Sequence, residues 1–387
     1  MVINMSKEFL TPKKIITGIG AIEDSIKYLV AMGKKPLIVT GRIVSELDAF
    51  KMLVSKLSEN GLECVVFKDI TGEPTDVMIK EGLKVYRENN CDFLIGMGGG
   101  SPLDAIKAIA ALNVCGGKLS DYMGKEISGE FPPMAAIPTT AGTGSEATKF
   151  TVITDAETDV KMLLKGAALL PDLAIVDYTN TLSSPKSITA STGLDALTHA
   201  VEAYTSKQAQ PLTDVLALSA VKRIFKYLPI AYNDGENETA RYEMSIAALE
   251  AGICINNSSV TIVHGMSRPI GALFHVPHGL SNAMLLCKCM DFAKDGAAER
   301  FAELSRAVGT AAAADGDEAA ADKFIDGLFE ICKKCEVPTI TEYGLDTQKF
   351  TSAIPKMTSD ALASGSPANT RKNVSEDDIS AIYKSLF

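Results

Sequence analysis

Between residues 35 and 178 short apolar runs alternate with stretches of helical spacing, and after about residue 183 the short runs disappear. KPLIVTG (35–41) reads as a strand ending in glycine, and IVSELDAFKMLVSKLSENG (43–61) as a helix closed by glycine. LECVVFKDI (62–70) and CDFLIGMGGG (91–100) are further strands, with a helix over 76–89 between them. MAAIPTTAG (134–142), FTVITD (150–155) and LAIVDY (173–178) add to the same sheet. Strand–helix–strand order calls for parallel strands joined by right-handed crossovers, hence an open α/β sheet. Ligands of such sheets sit beyond the carboxyl ends of the strands. The later segments SPKSITASTGLDALTHAVEAYTS, LTDVLALSAVKRIFKYLPIAYND and RYEMSIAALEAGICINNSSVTIVHGMSRPIGALF all carry the 3.6-residue period. The expectation is an α/β domain over 1–182 and an all-α domain over 183–387, with the site in the cleft between them. A chain of 387 residues is long enough for two cores.

Composition excludes several function classes. Lys and Arg (38) are fewer than Asp and Glu (48) and scattered, so no basic footprint for nucleic acid or a membrane surface is present. The N-terminus MVINMSKEFLTPKKIITG lacks the apolar stretch of an export signal, and no apolar run approaches the ~20 residues of a membrane span. Eight cysteines in so long a chain point to a reduced, cytoplasmic protein. CKKC (332–335) and CKC (287–289) read as buried helix residues, since no second pair stands at zinc-ribbon spacing. An Ala-rich stretch, AAAADGDEAAA (311–321), reads as an exposed helix–loop–helix edge.

The strand CDFLIGM runs into GGGSPLDAIKAIAAL (98–112). Gly98, Gly99 and Gly100 let backbone N–H groups approach a ligand without a Cβ in the way. Ser101 is expected as N-cap, Pro102 as first helical residue, and Asp104 as partner in a capping-box exchange. Such a turn is an anion site, most naturally for a pyrophosphate, although a bare tight turn has the same sequence. A second small-residue loop, PTTAGTGSE (138–146), brings Thr139, Thr140, Thr143 and Ser145 to another strand end, and together the two loops point to a nucleotide.

The chain has four histidines, and three of them crowd HGMSRPIGALFHVPHG (264–279). The fourth, His199, closes GLDALTH, four residues after Asp195, which places the pair about 6 Å apart on one helical face. His264 is read as late in a long helix, and His278 as following a turn at Pro277. Asp195, His199, His264 and His278 offer one carboxylate and three imidazoles, a set suited to Fe²⁺ or Zn²⁺, with Mn²⁺ and Ni²⁺ as further options. A lone histidine is more often a hydrogen-bonded core residue, but the near-exhaustion of the histidines in two segments argues for ligation. His275 lines or supports the pocket and stays outside the ligand set.

GGGSPLD, PTTAGTGSE, GLDALTH and HGMSRPIGALFHVPHGLSNAMLL, in that order, resemble the iron-containing (group III) alcohol dehydrogenases, and the likeness runs from ITGIGA (16–21) to the C-terminal helices. The resemblance implies a Rossmann-like dinucleotide-binding α/β domain, an all-α metal-binding domain and usually a homodimer or higher oligomer. It implies metal ligation by Asp195, His199, His264 and His278, and a pyrophosphate turn at Gly98, Gly99, Gly100, Ser101 and Asp104. It adds Thr139, Thr140, Thr143 and Ser145 as a second cofactor loop, with Val152 and Lys161 along the cofactor groove. The implied reaction is hydride transfer between NAD(P) and a small alcohol or aldehyde whose oxygen the metal polarises. Glycerol dehydrogenases and dehydroquinate synthase, a lyase, share the plan; with a maleylacetate-reductase-like role and a non-catalytic nucleotide- or metal-binding protein they are the rival readings.

Two positions depart from the pattern. Where many members end the first strand with Asp, this chain has Gly41 followed by Arg42, which favours NADP(H) over NAD(H). Where a second histidine commonly follows His264 by four residues, Arg268 stands. Arginine is no neutral proton relay, so His275, water or ribose hydroxyls are the proton routes expected. Arg268 either holds an anionic substrate, carboxylate or sulfonate, or pairs with a nearby carboxylate.

Overall fold

The computed structural model describes residues 6–387; residues 1–5, the start of the segment read as lacking an export signal, lie outside the described residues. The chain forms two compact units, Thr11–Ser184 and a helical unit that runs from Pro185 to Phe387. Residues 6–10 belong with the helical unit, a different assignment from the expected stretch 1–182. The reason is local: the Leu10 N–H donates to Asn257 Oδ1 (2.5 Å), and the Asn256 and Asn257 amides donate to Leu10 O (2.9 and 2.8 Å).

The first unit holds, in order, β1 (Lys14–Thr17), α1 (Ala21–Val30), β2 (Pro36–Val39), α2 (Asp48–Glu59), β3 (Val65–Phe67), α3 (Asp76–Glu88), β4 (Phe93–Gly98), α4 (Gly100–Cys115), β5 (Met134–Pro138), β6 (Phe150–Thr154), β7 (Lys161–Lys165) and β8 (Leu173–Val176). Six strands make one sheet in the order β1-β8-β5-β4-β2-β3, every pairing parallel. β2, β4, β5 and β8 are buried throughout, as continuous apolar runs covered by helices on both faces require. The chain leaves β2 toward β3 and leaves β4 toward β5, so the connections diverge between β2 and β4. That divergence opens a crevice at the carboxyl ends of the two strands.

The expectation that residues 150–155 extend this sheet is corrected. Among the described residues β6 pairs with no strand but β7, antiparallel, from Phe150↔Lys165 to Thr154↔Lys161, with one isolated parallel bridge from Thr154 to Thr75. Its burial alternates residue by residue, the signature of a ribbon with one wet face rather than a central parallel strand. β1 (KIIT) and β7 (KMLLK), runs of two and three apolar residues between lysines or a threonine, are strands not assigned from the sequence.

The second unit contains α5 (Lys186–Thr205), α6 (Pro211–Asn233), α7 (Glu238–Asn257), α8 (Ile262–Phe274), α9 (His278–Ala293), α10 (Ala298–Val308), α11 (Asp317–Lys334), α12 (Thr347–Ala363) and α13 (Glu376–Lys384). α5 packs against α6, α7 and α9, and its residues from Gly193 to Thr205 are all buried. A helix buried on every side has no solvated stripe to define it, so it forms the centre of the unit. The helical run expected over 241–274 is in fact two helices bent by 102°. Residues 258–261 break it, and α8 restarts with its first amide groups facing a carboxylate from α5. Among the described residues no single helix is long and apolar enough to cross a membrane.

Candidate functional site

In the helical unit Asp195 and His199 share a face of α5, as their spacing requires. His264 is the third residue of α8, early in its helix rather than late, because α8 begins at Ile262. His278 opens α9 after the Pro277 N-cap. α9 reaches Asp195 because residue 279 is glycine: a Cβ there would lie 2.5 Å from Ser191 O and 3.4 Å from the Asp195 Cβ.

The four side chains converge. One ligand atom from each lies within 4.8 Å of all the others. Asp195 Oδ1 stands 3.5 Å from His264 Nε2, 3.7 Å from His278 Nε2 and 3.9 Å from His199 Nε2. A four-coordinate ion with bonds near 2.1 Å separates its ligands by about 3.4 Å, so the donor set fits a divalent cation with small adjustment. The His199 and His264 rings stack at 4.5 Å, and His278 lies 5.3 Å from His264. Asp195, His199 and His264 are buried, while the His278 side chain is 36% exposed and gives the cluster its open side.

The electrostatics ask for positive charge. Burial works against an ionised Asp195, but the imidazoles of His199, His278 and His264 outweigh it and hold the carboxyl well below the usual range. Burial likewise opposes a charged His264, yet Glu202, followed by Asp195, pushes its pKa up to about 9.

Glu202 is a residue that sequence reasoning missed. It is fully buried, and its Oε2 lies 2.5 Å from His264 Nδ1. Its Oε1 accepts from Thr261 Oγ1 (2.8 Å), Val263 N (2.7 Å) and His264 N (3.4 Å). One carboxylate thus caps α8 and, by accepting a hydrogen bond from His264 Nδ1–H, turns Nε2 toward the cluster. The signal was available: Asp195, His199 and Glu202 follow i, i+4, i+7 on one helix. Asn282, one turn after His278, was also missed. Its Nδ2 donates to Asp195 Oδ1 (2.7 Å) and lies 3.0 and 3.2 Å from Nε2 of His264 and His278.

Arg268 is half-buried one turn beyond His264, and Nη1 donates to Ser366 Oγ (3.0 Å). Burial pushes its pKa down, with Glu202 acting against the shift. Among the described residues no carboxylate forms an ion pair with Arg268. His275 is exposed at the C-cap of α8 in the left-handed region, φ 54 and ψ 29.

In the sheet unit the expected nucleotide residues gather at the carboxyl ends of neighbouring strands. Gly41 and Arg42 follow β2, Gly98 ends β4 and Gly99 to Ser101 follow it, and Thr139, Thr140 and Thr143 follow β5. The capping expectation needs correction. α4 begins at Gly100 with Gly99 as N-cap and no side-chain cap, so Ser101 is already helical. Asp104 makes no capping-box exchange; it accepts from Ser145 Oγ (2.6 Å) and Val152 N (2.8 Å) instead. The N–H groups of the first turn of α4 are therefore left to face an anion. Gly100 lets the second loop close in, since a Cβ there would lie 2.9 Å from Thr143 Cγ2. Arg42 is exposed and bound to Asp69 Oδ1 through Nε (3.2 Å) and Nη2 (2.8 Å). Lys161 pairs with Glu73 at 2.7 Å.

Comparison with known proteins agrees with this geometry. The profile described as iron-containing alcohol dehydrogenase matches residues 12–178, and that of the Fe-containing alcohol dehydrogenase family, C-terminal, matches 189–387. The chain is 34% identical to a choline dehydrogenase of Bacillus subtilis, over 100% of this chain and 98% of the relative. It superposes on a crystal structure of 1,3-propanediol oxidoreductase with a TM-score of 0.95 and 33% identity, covering 99% of this chain and 100% of the other. A sulfoacetaldehyde reductase from Bifidobacterium kashiwanohense, in complex with NAD⁺, superposes with a TM-score of 0.88 and 28% identity over 99% of each chain. With both profiles matched in order and the fold reproduced over its whole length, the chain belongs to the iron-containing alcohol dehydrogenase family of oxidoreductases.

Proposed function

We propose that the protein is a metal-dependent, NAD(P)-linked alcohol dehydrogenase and aldehyde reductase for small primary alcohols and aldehydes, with NADP(H) favoured. The observation that carries this reading is the convergence of Asp195, His199, His264 and His278 in a chain with four histidines. Those four residues would hold Fe²⁺, or Zn²⁺ where it is more available. A divalent ion there supplies Lewis acidity toward an alcohol or carbonyl oxygen, and a nicotinamide supplies the hydride carrier.

The rest is the work of this chain's own residues. Glu202 fixes the His264 ring so that Nε2 faces the cluster. His278, the least buried of the four, flanks the side from which a substrate arrives. The first turn of α4 and Gly98–Gly100 receive a pyrophosphate, with Thr139, Thr140 and Thr143 beside it. No carboxylate at Gly41 repels a ribose 2′-phosphate, and Arg42 supplies a cation for it. Arg268 cannot relay protons, so exposed His275 is the side chain that exchanges them with solvent. Eight free thiols fit a cytoplasmic setting, and a homodimer or larger homo-oligomer is the expected assembly.

Nicotinamide absorbance with butanal and NADPH tests the reading. Turnover is expected from Fe²⁺-reconstituted protein and not from chelated protein; undiminished turnover after chelation rejects it.

A second reading is favoured by Arg268. A half-buried guanidinium with no ion pair among the described residues, one turn from His264, suits an acid-bearing aldehyde. The relatives above are named for a cation, a neutral diol and a sulfonated aldehyde. Arg268 favours the last class here and disfavours a quaternary ammonium alcohol. With Arg268→His, kcat/KM for succinic semialdehyde should fall about tenfold more than for butanal. An equal change for both removes the idea.

A further inference from the structure

The two loops of the sheet unit share a polar centre that the proposed mechanism has not used. Lys107 lies on α4 with no exposed surface, an uncommon setting for lysine. Its Nζ donates to Ser145 O (2.7 Å), Ser145 Oγ (2.8 Å), Phe150 O (2.8 Å) and Thr148 Oγ1 (3.1 Å). An ammonium has three donors. Four oxygens share them, so Lys107 has none to offer a phosphate and is no direct anion ligand.

Asp104, one turn earlier, completes the centre. Its carboxylate lies 3.9 Å from the Lys107 ammonium and accepts from Ser145 Oγ and Val152 N, and its carbonyl accepts from Thr151 Oγ1 (2.9 Å). All of these partners lie on the segment between Ser145 and Val152, and all the donors and acceptors opposite them lie on α4. The loop itself has little regular structure: a short 3₁₀ turn at Ser145–Ala147 follows Gly144 in the left-handed region at φ 61. Thr139 N donates to Gly98 O (2.8 Å) and fixes the start of the loop, while Lys107 and Asp104 fix its end. Thr140 and Thr143 hang between these two anchors.

We propose that Lys107 is a positioning residue for the dinucleotide. It pins the 139–152 segment to the helix whose N-terminus forms the pyrophosphate turn, so both loops face one ligand in a fixed register. Asp104, Ser145 and Val152 then belong to the pin, and Thr139, Thr140 and Thr143 to the contact surface. This inference rests on the reading that the two loops hold the cofactor.

Full-length, metal-loaded Lys107→Met tests it, with nicotinamide fluorescence giving the Kd of NADPH and NADH. Displacing a loop by a fraction of an ångström should raise both Kd values about tenfold, with KM for cofactor following and kcat at saturating cofactor changing less than about threefold. Metal affinity, measured by chelator competition, should stay at the wild-type value, since the ligands lie on other elements. A folded variant with wild-type Kd, even one of lower melting temperature, overturns the proposal. Should Lys107→Met fail to fold, Thr148→Val removes one of the four accepting oxygens and should raise Kd about threefold; an unchanged Kd there overturns the proposal equally. Wild-type protein that binds neither dinucleotide would overturn the cofactor reading itself, which separates the two failures.

Discussion

The Asp/His cluster and the glycine loops are both polar sites, built in opposite ways. The cluster takes one side-chain atom from each of four residues on three helices, and every one of those atoms is directional and scarce. The loops offer backbone N–H groups at strand ends, and Lys107 and Asp104 bind the second loop to α4. A site made of side chains tolerates no change of residue type but allows small backbone shifts. A site made of backbone tolerates many residue types and allows almost no shift.

Removing a ligand should break this contrast or establish it with the largest effect. Asp195→Ala takes away the one carboxylate of the set and leaves the three imidazoles without it. Metal content of the purified protein should fall to near zero and kcat/KM by about a thousandfold or more, while NADPH Kd stays close to wild type. Loss of dinucleotide binding in the same variant would show that the two regions are not separable.

Glu202→Gln should act next most strongly, on the same region only. Glutamine keeps an oxygen for the Val263 N–H but places an amide or loses the acceptor at His264 Nδ1. His264 then loses the bond that fixes its tautomer, and metal affinity should drop about 10–100-fold. Competition with a chelator of known affinity measures it; wild-type affinity in the variant would assign Glu202 to helix capping alone.

The second loop carries a pH signature of its own, at lower pH than that of His264. Glu146, at the end of the second loop, is 2% exposed, and burial pushes its pKa up to about 7, its own backbone N–H and Lys107 opposing the shift. Its folded pKa lies above the unfolded value of 4.5. The associated stability is therefore complete below the unfolded pKa and is lost as pH rises through about 7. Over that window the loss amounts to at most about 3 kcal/mol for a shift of this size. Urea unfolding between mildly acidic and neutral pH should show stability falling as pH rises, and Glu146→Gln should flatten the curve. An unchanged slope in the variant removes Glu146 as its source.

The contrast also explains what was legible in the sequence. The cluster was visible because histidine is rare here, so three in sixteen residues and a fourth beside Asp195 could not be dismissed as background. Glu202 and Asn282 touch the same atoms but belong to common residue types, and only the helical spacing marks them. The bend between α7 and α8 was hidden because residues 258–261 carry no glycine or proline, and the carboxylate that restarts the helix comes from α5. The α/β sheet and its glycine turns could be read from strand–helix alternation. Lys107 could not: a lysine inside a helix ordinarily reads as solvated, and its partner oxygens lie 38 to 43 residues away. FTVITD (150–155) reads as part of the main sheet by its apolar content, whereas its period of two marks one strand of a separate ribbon.

The smallest expected effect lies at the edge of the loop region, at the end of β2. Gly41 leaves no carboxylate there, and a Cβ at that position would meet Ile70 O at 3.0 Å, so reinstating an acid would disturb the neighbouring backbone. Arg42 is the better probe. Its guanidinium is 70% exposed and paired with Asp69, itself 55% exposed. Surface pairs of this kind contribute little, so the guanidinium can leave Asp69 for a 2′-phosphate at small cost. Arg42→Ala should therefore raise the Kd of NADPH about three- to tenfold and leave NADH unchanged. Asp69→Ala should move NADPH the other way, because it releases the same cation from its competitor. Parallel shifts for both dinucleotides in either variant would detach Arg42 from cofactor choice. Opposite shifts confined to NADPH would mark it as the side chain in this backbone-built region that tells one dinucleotide from the other.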